Sequence, residues 1–517
     1  MNKYLYFTVF TAGMTTLALE LAASRLLGSY FGTSNLVWAS IIGLILIYLT
    51  AGYFIGGSWA DRSPHFRTLF GILAWGGFSA ALVPFVARPV LQIAALAFDQ
   101  LKVGMLLGSF SAVVVLFIVP ITLLGMISPF AIRLAVRDAR EAGRISGQIY
   151  AISTLGSFIG TFLPVLLTIP LIGSTYTFLL FSAFLTLVAI VGMGKAAGWK
   201  RAFRFSWMLV VLAILAIIWA KAPIKQSAGQ IYEVESAYNY IQVLEHDGYR
   251  YLRLNEGQGI HSIWHASELN LGGPWQQFLV APFFNPAPYD PSQVQSMAII
   301  GLAAGTTARQ ATAAYGPIRI DGYEIDPEII RVGQEYFGMT MPNLNAIAED
   351  GRVGLARSDQ KYTIIGVDAY RPPYIPWHLT TREFFQMAYD HLTADGVLVI
   401  NVGRSPTDRR LVDDLASTIQ TVFPSAYVMD VPYAYNTIIY ATVQPTQIEN
   451  LVANLDKLAP RSDIHPLLYL STAETLGNLQ PTPPVDVVYT DDWAPIEWIT
   501  NNMVLNFIFF GDMEDLQ

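Results

Sequence analysis

Three acidic residues stand where an α/β sheet does its chemistry. Glu324 closes IRIDGYE, Asp350 lies in AEDGR, and Asp368 closes YTIIGVD. All three are placed at strand ends, and in an open parallel sheet ligands bind outside the carboxyl ends of the strands. A glycine-bearing turn, IIGLAAGT, with Gly301 and Gly305, comes first. Glu324 lies about 20 residues beyond it, the distance at which an acid reaches ribose hydroxyls. Asp350 is placed to accept from a base amino group, and Asp368 to face a reacting centre. Any one of these acids also fits a helix cap; turn and acids in this order point to a nucleoside ligand. The turn has too few glycines for a triphosphate-binding loop and lacks its lysine, which argues against nucleotide triphosphate hydrolysis.

The elements that must hold these residues alternate. From Gln295 onward, SMAII, IRIDGYEID, YTIIGVDAY, GVLVINV and TIIYATV read as strands, with TARQATAAY and PEIIRVGQEYF as helices between them. Such alternation predicts a mostly parallel, doubly wound sheet. Before it, Ile231 to Leu254 alternates like paired strands around a His246-Asp247-Gly248 turn, a small β-domain. Before Pro223 the chemistry changes altogether. About seven apolar segments are long enough to cross a bilayer: roughly Tyr4–Leu26, Asn35–Gly57, Thr68–Val86, Gly104–Phe130, Gly147–Ile169, Thr175–Gly194 and Phe205–Ala220. The expected organisation is a membrane helical bundle over 1–222, a small β-domain and connector over 223–290, and a Rossmann-like α/β domain over 291–517. The lipid bilayer is thus the first partner. Glu20 and Arg25 lie within or near the first span and read as a packed pair or a polar contact between helices.

Composition agrees. Hydrophobic residues make up 53% of the chain and charged residues 14%, against about 25% charged in an ordinary soluble protein. The net charge of −8 leaves no basic face for nucleic acid. With no cysteine there are no disulfides, thiolate metal sites or cysteine nucleophile, and no His/Asp/Glu set has metal-ligand spacing. Lys and Arg cluster in alternate loops, at Arg62 and Arg67, at Arg133 to Arg144, and at Lys195 to Arg204. That bias puts the N-terminus in the cytoplasm, and seven crossings then favour an extracytoplasmic C-terminal domain.

From about Ile231 to Val443 the residues resemble the spermidine synthases, the polyamine aminopropyltransferases, and more narrowly their membrane-fused bacterial relatives. Gly301 and Gly305 match the outer glycines of a G-G-G-D-G turn. Glu324 and Asp326 match V-E-I-D, here Y-E-I-D; Asp350 and Gly351 match D-G; Asp368 matches the first Asp of D-S-S-D; Asn239 stands for the Gln of S-x-x-Q. The resemblance implies Asp368 as general base. It implies a cosubstrate site for decarboxylated S-adenosylmethionine, or S-adenosylmethionine, built from Gly301, Gly305, Glu324, Asp326, Asp350, Gly351 and Asn239. It further implies a small-molecule amine acceptor, no metal, and is consistent with a homodimer. The acceptor half departs from the pattern. Ala304 replaces the turn's Asp, Arg371 replaces the second Asp of D-S-S-D, and Trp275, Gln276 and Gln277 stand for Tyr-His-Glu. Acceptor contacts are assigned to His261, Trp275, Gln277, Tyr370 and His378, and Glu256 lies in the same channel segment. TDDWAPIEW (Thr490 to Trp498) reads as a clamp over the site mouth, a membrane contact or simple packing. Two other readings stay open: a methyltransferase-like enzyme on a non-polyamine acceptor, and a transporter or sensor with a degenerate enzyme domain.

Overall fold

The computed structural model describes residues 2–31, 35–101, 105–218, 223–225, 227–255, 259–370, 375–405, 408–459 and 461–510. Glu256 and Arg371 fall outside that set. The chain divides into two compact units, one of residues 1–228, 233–241 and 254–257, the other of 229–232, 242–253 and 258–517.

The first unit is helical: α1 (Asn2–Phe31), α2 (Asn35–Arg62), α3 (Phe66–Leu101), α4 (Met105–Gly125), α5 (Ile127–Ala135), α6 (Ala142–Leu163), α7 (Ile169–Ala197), α8 (Trp199–Ala202) and α9 (Ser206–Ile218). Six stretches among the described residues are long and apolar enough to span a membrane. The sequence suggests about seven because its fifth and sixth segments run together here, in one 59-residue stretch from Ala139 to Ala197. That stretch is broken at Gly173, with φ +78°. The freed N-terminal end of the resumed helix is capped by Glu235, whose Oε2 accepts from Ser174 N at 2.8 Å and Ser174 Oγ at 3.0 Å. Without polar solvent between helices, close backbone approach holds such a bundle. A Cβ on Gly156 or Gly160 of α6 would lie 2.0 or 2.1 Å from the carbonyl oxygens of Phe10 or Met14 in α1. Glu20 and Arg25 read as a packed pair or a polar contact between helices; no Glu20–Arg25 ion pair occurs among the described residues. Arg25 instead donates to the carbonyls of Ser236 and, at 3.1 Å, Tyr238.

Four short strands follow, β1 (Gln230–Glu235), β2 (Tyr240–His246), β3 (Tyr249–Leu254) and β4 (Ile260–Trp264), paired in that order. The β2–β3 turn is at Asp247 and Gly248, both with positive φ, as a tight hairpin requires.

The second unit is built on β5 (Ser296–Ile300), α10 (Thr306–Tyr315), β6 (Arg319–Glu324), α11 (Pro327–Tyr336), β7 (Leu344–Ala348), α12 (Gly351–Arg357), β8 (Tyr362–Val367), α13 (Arg382–Asp390), β9 (Leu392–Gly403), α14 (Arg410–Gln420), β10 (Ser425–Asp430), β11 (Asn436–Thr442), α15 (Ile448–Leu458), α16 (Pro466–Gly477), β12 (Leu479–Gln480) and α17 (Ile496–Phe510). The sheet order is β12-β10-β11-β9-β8-β5-β6-β7. Strands β7, β6, β5, β8 and β9 run parallel, while β11 and β10 add antiparallel pairs. Alternation along the central strands splits the core in two. Ala298, Ile300, Ile365, Val367, Leu398 and Ile400 pack on one face; Met297, Ile299, Ile364, Val397 and Val399 pack on the other. Both faces are covered, so β8 is buried along its whole length. Strand order reverses between β5 and β8, and the crevice of a doubly wound sheet opens at such a reversal.

Candidate active site

The glycine turn follows β5 and Asp368 follows β8, so the two meet at the reversal point. Asp368 N donates to Ile300 O at 2.8 Å. Gly301 has φ +87°, and a Cβ there would lie 2.4 Å from Asp368 O; only glycine meets both the conformation and the approach. The amides of Gly301 and Leu302 both donate to Tyr323 O at 2.9 Å. Gly305, with φ +82°, ends the turn and opens α10.

Glu324 braces this turn from β6. Its Oε2 accepts from Ala303 N at 3.0 Å and its Oε1 from Asp326 N at 3.1 Å. Burial pushes its carboxyl up to about 7, against the pull of those backbone donors. Each oxygen keeps lone-pair capacity for a hydroxyl donor. Asp326 is itself buried and caps α11, accepting from Glu328 N at 3.1 Å.

Asp350 follows β7 and caps α12, its Oδ1 taking the amides of Arg352 and Val353 at 3.0 and 3.1 Å. Its Oδ2 takes Nε2 of His378 at 2.9 Å. The His378 bond, with help from the two amides, holds Asp350 below the usual carboxylate range despite its burial. Gly351 is the first residue of α12, packed where a Cβ would lie 2.3 Å from Ile300 Cγ2. Arg352 then ties His378 to the C-terminal segment. Its Nη1 donates to His378 O at 2.9 Å and to Asp491 Oδ1 at 2.7 Å, and its Nη2 to Asp491 Oδ2 at 2.6 Å. Asp491 also accepts from Thr381 Oγ1 at 2.7 Å. TDDWAPIEW therefore holds the Asp350 corner through a two-pronged ion pair, a geometry stronger than a single contact. Loss of that pair in Asp491→Asn is expected to weaken nucleoside affinity about fivefold with turnover at saturation within about twofold, read by calorimetry and steady-state kinetics.

Asp368 Oδ1 accepts from Asn401 Nδ2 at 2.8 Å, and Asn401 Oδ1 in turn accepts from Asn436 Nδ2 at 2.9 Å. Oδ2 takes no hydrogen bond among the described residues. Burial pushes the Asp368 carboxyl up to about 7, with the Asn401 bond opposing. Asn401, at the end of an apolar strand, had no spacing signal to connect it with Asp368. Its role is testable. Asn401→Ala removes the one bond favouring the charged form, so the acid limb of activity should move to higher pH, a shift that loss of packing alone would not produce.

Along one edge the order is Asp350, Glu324, the glycine turn, Asp368 and Asn401. The remaining candidates are placed as follows. Tyr370, two residues past Asp368, accepts the Gly403 amide at its hydroxyl. His261 sits on β4 where the pairing with β3 shifts register, and its Nε2 has no hydrogen-bond partner among the described residues; burial pushes its imidazole down to about 4. Trp275 and Gln277 are buried, and Gln277 is bonded through its amide to Glu474 and, at 2.8 Å, to Thr475 Oγ1 in α16. Asn239 belongs to the helical unit, where its Oδ1 accepts from Asn255 Nδ2 at 3.0 Å. No group of three or more potential metal ligands occurs among the described residues.

Residues 288–454 match the family model of the spermine/spermidine synthase domain. The chain carries a spermine/spermidine synthase domain. It is similar to a probable polyamine aminopropyl transferase of Bifidobacterium longum, 33% identical over 213 residues, covering 41% of this chain and 46% of that protein. It is also similar to a polyamine aminopropyltransferase of Vibrio vulnificus, 29% identical over 234 residues, covering 44% and 75%. The match thus spans about half the length of the Bifidobacterium relative and three quarters of the Vibrio one. Among solved structures, a probable spermidine synthase from Corynebacterium glutamicum covers 52% of this chain and 99% of its own, at 18% identity and TM-score 0.38. The synthase domain match includes the glycine turn and all three acids, and stops before Asp491.

Proposed function

We propose that the synthase domain transfers an aminopropyl group from decarboxylated S-adenosylmethionine to an amine, and that the helical unit anchors it in a bilayer. The single observation supporting this most is Asp368: a carboxylate at the strand-order reversal, against the glycine turn, with one oxygen uncommitted. In this reading Glu324 accepts from the ribose hydroxyls and Asp350 from the base amino group. The acceptor must be a neutral amine, because an ammonium has no lone pair. Its nitrogen forms a bond to the propyl carbon attached to sulfur. The C–S bond breaks, its electron pair stays on sulfur, and the sulfonium becomes the neutral thioether of methylthioadenosine. Asp368 takes the proton that the new ammonium sheds. Positioning in line with the C–S bond supplies much of the rate, up to about 7–11 kcal/mol.

Incubating the full-length protein with decarboxylated S-adenosylmethionine and an amine panel tests this directly, with methylthioadenosine release as the expected result. Methyl transfer from S-adenosylmethionine in its place would establish the methyltransferase reading, which the Ala304 substitution favours. The positive-inside distribution of Lys and Arg supports a cytoplasmic N-terminus, and a reporter fused after Gln517 reads the side of the synthase domain.

A further inference from the structure

Given a bilayer around the helical unit, on which this rests, we infer that a groove between α7 and α9 holds a membrane lipid whose headgroup ends in a primary ammonium, received by Glu235. The groove encloses about 820 Å³, inside the range of about 300–1,000 Å³ for small-molecule sites. Every residue lining it belongs to the helical unit. One wall is a face of α7, where Tyr176, Leu180 and Ala183 follow Gly173 at helical spacing. The other is a face of α9, with Leu209, Ala213 and Ala216. At the Gly173 end the Tyr176 hydroxyl lies 3.5 Å from Ala216 O. From Gly173 to Ala183 the trough runs about 15 Å along α7, room for much of an acyl chain. Leu180 on its wall is half exposed, so the trough opens sideways, where a bilayer presents its hydrocarbon.

The charge sits at one end only. Glu235 is the single charged side chain among the lining residues, and it lies against Gly173, where a Cβ would be 2.9 Å from its Oε2. That oxygen is committed to Ser174, while Oε1 takes no hydrogen bond among the described residues. Burial pushes the Glu235 carboxyl up, against the Ser174 bonds and the charge of Arg25. Arg25 itself donates to the carbonyls of Ser236 and Tyr238 and makes no ion pair with Glu235. A half-buried carboxylate with a free oxygen favours a partner that brings both positive charge and an N–H donor. A primary ammonium brings both. A quaternary ammonium has the charge without the donor, and an anionic headgroup has the wrong sign. The apolar walls leading away from Glu235 then call for a hydrocarbon tail on the same molecule. A carboxylate at one end of an apolar trough thus matches an amphiphile lying along α7, headgroup at the helix break.

Full-length protein in nanodiscs of phosphatidylethanolamine, phosphatidylcholine and phosphatidylglycerol, in equal parts with identical chains, tests this. Native mass spectrometry after detergent release reads the lipid that stays bound. Phosphatidylethanolamine should be retained about tenfold over either of the others, the scale of one charge-assisted hydrogen bond. Glu235→Gln keeps an oxygen for Ser174 and should bring that ratio to within about twofold. Ala213→Trp fills the trough, leaves Glu235 in place, and should lower retained phosphatidylethanolamine about as far. Equal retention of the three lipids by the unaltered protein, or a preference for either of the other two, overturns the assignment while leaving the bilayer anchor intact. So does an ethanolamine preference that survives both substitutions. Release of the protein from membranes by an alkaline wash overturns the bilayer reading itself, and this inference with it.

Discussion

Asp368→Asn is expected to lower turnover by about a thousandfold, the scale of a positioned general base, while the affinity for methylthioadenosine changes little. The same substitution should stabilise the folded protein at pH 8. In the folded chain burial lifts the Asp368 carboxyl from 3.8 to about 7. Between those values the native state holds a proton that the unfolded chain has released. Stability from this group is therefore complete below about pH 4 and is lost as pH rises to 7. Above 7 the full cost of a buried carboxylate is present, at most about 4 kcal/mol for a shift of this size. Asparagine never ionises, so the gap between variant and parent should open from pH 4 to 7 and stay level beyond. Glu324, raised in the same direction, leaves a residual slope in the variant. Turnover runs the opposite way, falling below about pH 7 as the base is protonated. Thermal unfolding at pH 5 and pH 8, beside a pH–rate profile, reads both. Near-normal turnover in the asparagine variant would remove Asp368 from the chemistry.

What the sequence made legible was local. Strand runs such as SMAII and YTIIGV, and the acid after each, rest on burial and alternation, which act over a few residues. Gly301 was readable because a tight turn at a strand end favours positive φ, and its approach to Asp368 O follows once β5 and β8 pair in parallel. What failed to show were contacts between distant segments. Asn401 reaches Asp368 only because β9 lies beside β8. Arg352 finds Asp491 across 139 residues of sequence, a pairing no spacing rule encodes. Gln277 looked like an acceptor contact from its place in the chain, yet it turns into the core to meet Thr475 and Glu474. In the helical unit, Gly147–Ile169 and Thr175–Gly194 read as separate segments in sequence, whereas the backbone continues helically past Pro164 and Pro170 and breaks at Gly173. Prolines are tolerated in such helices, so the glycine marked the break.

Glu324→Ala should weaken methylthioadenosine binding by about a hundredfold or more, because two effects coincide. The ribose loses its proposed acceptor, and the turn loses the group that binds Ala303 N and Asp326 N. A buried donor left without a partner costs about 1–3 kcal/mol. Glu324→Gln separates this account from a purely electrostatic one. Both carboxylate oxygens accept backbone N–H groups, so an amide must aim its own NH2 at one of those donors whichever way it is turned. Glutamine should therefore bind the nucleoside nearly as poorly as alanine. If glutamine restores most of the affinity, the donor pair around Glu324 is not what holds the turn. If alanine leaves calorimetric affinity unchanged, Glu324 makes no contact with the ribose. Asp368→Asn is the internal control, since it lies on the same edge and should leave that affinity standing.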